Sequence, residues 1–271
     1  MEVIRPNRQT RRRHGRSDPV DAEAAARAVL SGEASGGPKD GDDTAEMIRT
    51  LRIARQTALK ARTQAINSLR ALVVTAPSEL RDNLRHLPAA KLIATASRLR
   101  PGNERCVLSA TKLALRSIAG RYQHLDEEIA MLDTQLEGLV AAAAPRLVAL
   151  FGVGTDTAGQ LLVTAGDNPE RLRSEAAFSM LCGSSPRSAS SGKTTRHRLN
   201  RGGDRQANAA LYRIVLVRMR WHQATRDYVE RRTKEGKTKL EIIRCLKRYI
   251  AREVYNVLAS SDSTGSLQSA A

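Results

Sequence analysis

The chain has 271 residues, enough for one large or two ordinary domains, and 45 Lys and Arg against 28 Asp and Glu give a formal charge of +17, so a polyanion is the expected partner. With only 3% aromatic residues, base stacking is excluded as the main binding mode, which leaves salt-sensitive phosphate contacts. Cys106, Cys182 and Cys245 lack any CxxC or His-rich spacing, which argues against a zinc site or disulfide frame and for a reducing compartment; the longest apolar stretch, 138–154, is broken by Pro145 and Arg146 and cannot span a membrane.

Met1 is followed by acid and base rather than an apolar core segment, so no secretory signal is expected and the chain reads as cytoplasmic. A short strand-like scrap, Val3 and Ile4, runs into Arg11, Arg12, Arg13 and Arg16, a cationic arm for DNA or RNA. SDPVDAEAAARAVLSG then starts a helix. Asp18 suits the N-cap, Pro19 the first helical position and Asp21 a capping-box acid, and capping alone accounts for both acids. The same spacing puts two carboxylates on one side, where they can share a hard divalent cation such as Mg²⁺, although two acids do not complete a two-metal site.

Residues 31–43, SGEASGGPKDGDD, read as a flexible connector. A helix follows from Thr44 to about Val74, with Met47, Leu51, Ala54, Ala58, Ala61, Ala65, Ser68 and Leu72 at alternating four and three spacings. Its seam is narrow and rich in alanine. A shorter helical cap is expected from Pro77 to Pro101. The strongest periodicity comes next: Leu115, Ile118, Tyr122, Leu125, Ile129, Leu132, Leu136 and Leu139, with Arg121, Asp126, Glu127 and Glu128 outward. This predicts an antiparallel coiled coil with the first helix, and its free faces suit a homo-oligomer, dimer or tetramer. The alternative is an ordinary bundle helix, but a length of about 35 residues exceeds the usual ~11–12.

After Pro145, Phe151-Gly152-Val153-Gly154 sits between two helix-like segments, as in a helix-hairpin-helix whose Gly152 and Gly154 present backbone amides to a DNA phosphate. A plain turn gives the same pattern. Another helix is expected from Asp167–Arg173 on to Ala177, Phe178 and Met180. Then comes CGSSPRSASSGKTTRHRLNRGGDRQANAALY, from Cys182 to Tyr212. It sets Ser184, Ser185, Ser188, Ser190 and Ser191 among Arg187, Lys193, Arg196, Arg198, Arg201 and Arg205, with Asp204 its only acid. Hydroxyls in so positive a field suit a phosphodiester, and the helix after Arg205 would turn its positive end to the same place. Composition alone also allows a solvated basic linker, but apolar helix-like sequence flanks the loop on both sides.

Residues 207–223 read as a helix, apolar on one side and carrying Arg213, Arg218 and Arg220 on the other. A last helix, Lys239 to Val257, has Leu240, Ile243, Leu246, Ile250, Val254 and Leu258 as its core stripe, with Lys247, Arg248 and Arg252 outward. His197 and His222 are assigned no acid–base role, because a lone histidine in a basic loop more often bonds phosphate or solvent. Residues 259–271 read as a disordered tail.

The run Gly183, Pro186, Ser191-Gly192, Lys193, Arg196, Arg198, Arg201-Gly202 and Leu211-Tyr212 resembles the C-terminal domain of the DEDD-type insertion-sequence transposases, the family of insertion sequences 110, 116 and 902 and of the pilin-gene invertases. The resemblance implies that Ser191 is the DNA-attacking nucleophile, with Ser190 the fallback should the register slip by one. It implies that Asp18 and Asp21 are the last two acids of a four-acid tetrad in an RNase-H-like (RuvC-like) domain holding Mg²⁺. The other two acids are expected upstream, so the chain reads as lacking part of that domain.

The expected fold is mainly α, with an α/β RNase-H-like remnant and linker over 1–43, a helical coiled-coil region over 44–144, and a transposase domain over 145–258. The family further implies DNA, a noncoding guide RNA and nucleoid association in a bacterium. A non-catalytic transposase remnant that binds nucleic acid and dimerises is the rival reading, and a coiled-coil scaffold the third.

Overall fold

The computed structural model describes residues 18–32, 44–166, 172, 174–188, 197–198, 200 and 202–265, with backbone alone for 187–188, 197–198 and 261–265. The described residues are mainly α-helical, as expected. Helix α1 spans Asp18–Leu30. It begins at Asp18 itself, so both Asp18 and Asp21 stand in its first turn rather than Asp18 preceding it as a cap. The expected strand scrap at Val3 and Ile4 lies outside the described residues.

The chain divides into two compact units, one of residues 47–159 and one joining the described part of 1–46 to 160–265. In the first, α2 (Thr44–Val74) and α5 (Val107–Ala143) run antiparallel, joined by α3 (Ser78–Leu84) and α4 (Ala89–Ser97). The direction follows from the ion pairs. Arg55 meets Asp133 and Arg62 meets Asp126, so advance along one helix is retreat along the other. At the closed end Leu69, Val73, Leu80, Leu84, Leu92, Ile93, Leu115 and Ala119 form one buried cluster.

Of the stripe expected on α5, Leu115, Ile129, Leu132 and Leu136 are buried and Ile118, Tyr122, Leu125 and Leu139 are half-buried, with Ala119 and Val140 buried beside them. On α2 the expected seam is met in part: Ala58 and Ala65 are buried, but Met47 is 47% exposed and Ser68 is exposed, and Ile48, Leu69 and Val73 are buried in their place. Arg52 is buried among them, because its Nη1 donates at 2.7 Å to both the carboxylate and the carbonyl of Asp156. A seam of alanines has little apolar weight, and paired arginines then help decide which side turns inward.

The division at 159/160 differs from the boundary expected at 144/145. Helix α6 (Pro145–Val148) buries Leu147, and α7 (Thr155–Ala165) comes close at Gly159, where an added Cβ would lie 3.2 Å from Val140 and 3.3 Å from Ile48. The glycine lets this turn of α7 rest on both long helices.

In the second unit α8 (Glu175–Leu181), α9 (Arg205–Trp221), α10 (Gln223–Lys234) and α11 (Lys239–Gly265) pack together, α9 on both α10 and α11. Phe178, Ala207, Leu211, Ile214, Ile242, Ile250 and Val254 are buried there. Three expectations change. Leu240 is 70% exposed, and Ile242 and Ala251 take places in the stripe. Arg218, expected outward, is buried with its Nη1 2.6 Å from Glu253. Helix α11 continues through Gly265, past the expected end at Val257, since 258–264 contain neither proline nor glycine to stop propagation.

Two short strands, β1 (Arg187–Ser188) and β2 (His197–Arg198), pair antiparallel between α8 and α9, with Arg187 opposite Arg198 and Ser188 opposite His197. No helix among the described residues is long and apolar enough to cross a membrane.

Candidate functional site

The serine-rich segment leaves α8 and returns to α9 through a pinned base. Asp204 N donates to Leu181 O at 2.7 Å, so departing and returning backbones touch. Both crossing points are glycines with positive φ, Gly183 at +63° and Gly203 at +88°. Any side chain would obstruct them: a Cβ at Gly203 would stand 2.5 Å from Leu181 O, and one at Gly183 would stand 2.8 Å from Gly202 O.

Polar side chains lock this crossing. Asn208, in the first turn of α9, donates through Nδ2 to Cys182 O at 2.9 Å and to Gly183 O at 3.0 Å. Its Oδ1 accepts from Lys247 Nζ at 2.9 Å. Lys247, expected on the outside, is only 7% exposed. Burial, with Arg244 nearby, pulls its pKa below the ordinary lysine value. Asp204 caps α9 by accepting from Gln206 N at 2.7 Å, and its other oxygen accepts from Thr164 Oγ1 at 2.6 Å and Gln160 Nε2 at 3.3 Å.

The positive end of α9, expected to face the phosphodiester, is therefore already answered by a carboxylate of the chain. Ser184 is tied down too, its hydroxyl 2.7 Å from that of Ser179. Burial, and secondarily Asp204, pushes the Cys182 thiol up to about 12, so it stays protonated and inert.

Of the residues singled out in the sequence, Ser190, Ser191, Lys193, Arg196 and Arg201 lie outside the described residues, as do Arg11, Arg12, Arg13 and Arg16. Arg198 contributes described backbone only, in β2. Arg205 opens α9 and is exposed. At the turn between α6 and α7, Gly152 takes φ +79°, but the Gly154 amide donates to Thr157 Oγ1 at 3.1 Å and the Thr157 hydroxyl donates back to Gly154 O at 2.8 Å. That amide is engaged in capping α7. Asp18 and Asp21 share the first turn of α1, and no group of three or more His, Cys, Asp and Glu able to hold a metal ion occurs among the described residues. Two carboxylates nevertheless suit Mg²⁺, which commonly takes one or two from a protein and the rest from water and substrate phosphate.

Sequence reasoning missed the pinning residues Asn208, Lys247, Thr164 and Gln160. A lysine inside an otherwise apolar helical stripe was the available signal.

This glycine-crossed, asparagine-locked loop between two helices lies within the segment that comparison with known proteins recognises: residues 144–230 match the model of the transposase IS116/IS110/IS902 family. Residues 144–230 are thus similar to a transposase domain of that family. A similar protein, the insertion element IS110 uncharacterized 43.6 kDa protein of Streptomyces coelicolor (strain ATCC BAA-471 / A3(2) / M145), is 30% identical over 139 residues, 50% of this chain and 34% of that protein. The chain thus matches about a third of the length of this relative. The matched segment takes in the Phe151–Gly154 turn, the pinned serine loop, α9 and most of α10.

Proposed function

We propose that the chain acts in DNA transposition, with Ser191 the nucleophile toward a DNA phosphodiester and Ser190 the fallback. The observation that supports this most is the pinned base, where Gly183, Gly203, Asn208 and Asp204 hold the two ends of a serine- and arginine-rich loop together on rigid helices. A reacting group gains most from a support that does not have to be organised during the reaction. As the Ser191 oxygen bonds to phosphorus, the bond from phosphorus to one sugar oxygen breaks; the serine proton leaves and the departing oxygen takes one up. Lys193, Arg196, Arg198 and Arg201 would neutralise the charge that develops on the phosphoryl oxygens. Arg205, at the exposed start of α9, would hold the backbone nearby.

Asp18 and Asp21 would hold Mg²⁺, which when bound supplies Lewis-acid stabilisation of phosphoryl oxygens. The Phe151–Gly154 hairpin would approach the duplex through Gly152, the Gly154 amide being engaged with Thr157. The antiparallel helices α2 and α5 would serve self-association as a coiled coil, and a noncoding RNA would select the DNA partners.

Incubation with a branched DNA junction and Mg²⁺ tests the reading: a protein–DNA adduct should form, Ser191→Ala should abolish it, and Ser190→Ala should leave it. Equal adduct from Ser191→Ala would remove the nucleophile from its role. Salt-sensitive DNA binding with no adduct would favour a chain that only binds nucleic acid.

A further inference from the structure

Helix α9 has two unlike faces. Inward it buries Ala207, Ala210, Leu211, Ile214, Val215 and Arg218. Outward, at 100° per residue, Arg213 and Arg220 fall on nearly one line, with Tyr212 and Leu216 along one edge and Val217 and Trp221 along the other. All of these outward residues are exposed: Tyr212 is 42% and Trp221 66% accessible, and Leu216 and Val217 are similar to Tyr212. No Asp or Glu occurs anywhere in the helix, RQANAALYRIVLVRMRW. The Arg220 guanidinium lies over the Trp221 ring, 4.8 Å from its centroid, and no acid pairs with it among the described residues.

A merely solvated face carries Glu, Lys and Gln, and seldom the only tryptophan of a chain. A symmetric contact with a second copy would bring together two helices without Asp or Glu, each presenting Arg220, which like-charge repulsion opposes. Duplex DNA offers phosphates but keeps its bases stacked inside, so the aromatic edges would stay wet. A strand with unpaired bases satisfies every part of the pattern: its phosphates follow the arginine line while its bases stack on indole and phenol, the Arg220–Trp221 pair being already arranged for stacking.

We propose that the outward face of α9, from Tyr212 to Trp221, is a seat for single-stranded nucleic acid, read by stacking on Trp221 with Arg213 and Arg220 on the backbone. This rests on the nucleic-acid reading above and adds the class of strand and the place where it lies. Aromatics too scarce to dominate binding across the chain are here gathered beside cations on one helix.

The single tryptophan makes the test direct. A short oligothymidylate titrated into the intact chain should quench Trp221 fluorescence to saturation, and a duplex of equal length should quench it little. Trp221→Ala should weaken oligothymidylate binding, followed by anisotropy of a labelled strand, about 5- to 150-fold, the range of one lost base stack. Trp221→Phe should restore most of that loss, and duplex affinity should stay unchanged. Circular dichroism should show an intact fold, since the side chain is exposed.

Full single-strand affinity in Trp221→Ala, with duplex binding intact, overturns the inference and leaves the transposase reading standing. The same holds if the substitution instead dissociates a self-associated species in sedimentation, which would make the face a contact between copies. Failure to bind either probe at low salt overturns both.

Discussion

Gly203 shows how much one residue decides. Its φ of +88° and the 2.5 Å approach of a Cβ to Leu181 O leave no room for a side chain where the loop closes. Gly203→Ala is expected to destabilise the second unit by about 1–3 kcal/mol and to weaken the loop base, readable as a lower Tm and faster amide exchange at Asp204. Lys247 gives a pH signature. Its folded pKa lies below the ordinary 10.5, so the unfolded chain binds the extra proton and stability contributed at this site rises as pH climbs through the folded value toward 10.5. Lys247→Met should remove that rise from denaturation midpoints followed across alkaline pH. Glu175 has the opposite sign. Burial alone would raise its pKa, but hydrogen bonds from Arg252 and Arg248 outweigh it and hold the carboxyl below its ordinary value. Its stabilising effect is therefore present above the ordinary carboxylate range and lost as pH falls through the folded value, and Glu175→Gln should flatten the acid limb.

Among elements, the antiparallel pair α2 and α5 separates what apolar burial does from what charge does. Leu69 is fully buried at the closed end, so Leu69→Ala should cost about 2–5 kcal/mol in denaturant melts. Arg62 pairs with a half-exposed Asp126, and Arg62→Ala should cost no more than about 1 kcal/mol. The same contrast explains what could be read in advance. The span of α2 and the apolar stripe of α5 were readable because period and length agree. The facing of α2 was readable only in part: Ala58 and Ala65 are buried as expected, but alanines mark a face weakly, and Arg52 turns inward because Asp156, more than a hundred residues later, receives it. Helix α10 escaped notice because QATRDYVERRTK carries no apolar stripe and buries only Thr225. In the site, the serines and arginines of the loop stood out by composition. Its supports did not, since Asn208 and Lys247 become partners only once α9 and α11 are packed.

At the scale of the whole molecule, a charge of +17 would make the proposed association with nucleic acid a counterion-release process. Contact with about 6–10 phosphates would lower affinity about 10³- to 10⁵-fold between about 50 and 200 mM salt, and Arg205→Ala should reduce the log–log slope by about 0.9. A slope near zero would mean that the charge serves something other than a polyanion. The loop's chemistry is decided more sharply still by locating the covalent bond. The chain is reacted with junction DNA and Mg²⁺, the adduct is digested with nuclease and protease, and the peptide bearing a residual nucleotide is sequenced by mass spectrometry. The phosphate is expected on Ser191. A nucleotide found on any residue other than Ser191 or the fallback Ser190, or free DNA ends with no protein attached, would contradict it.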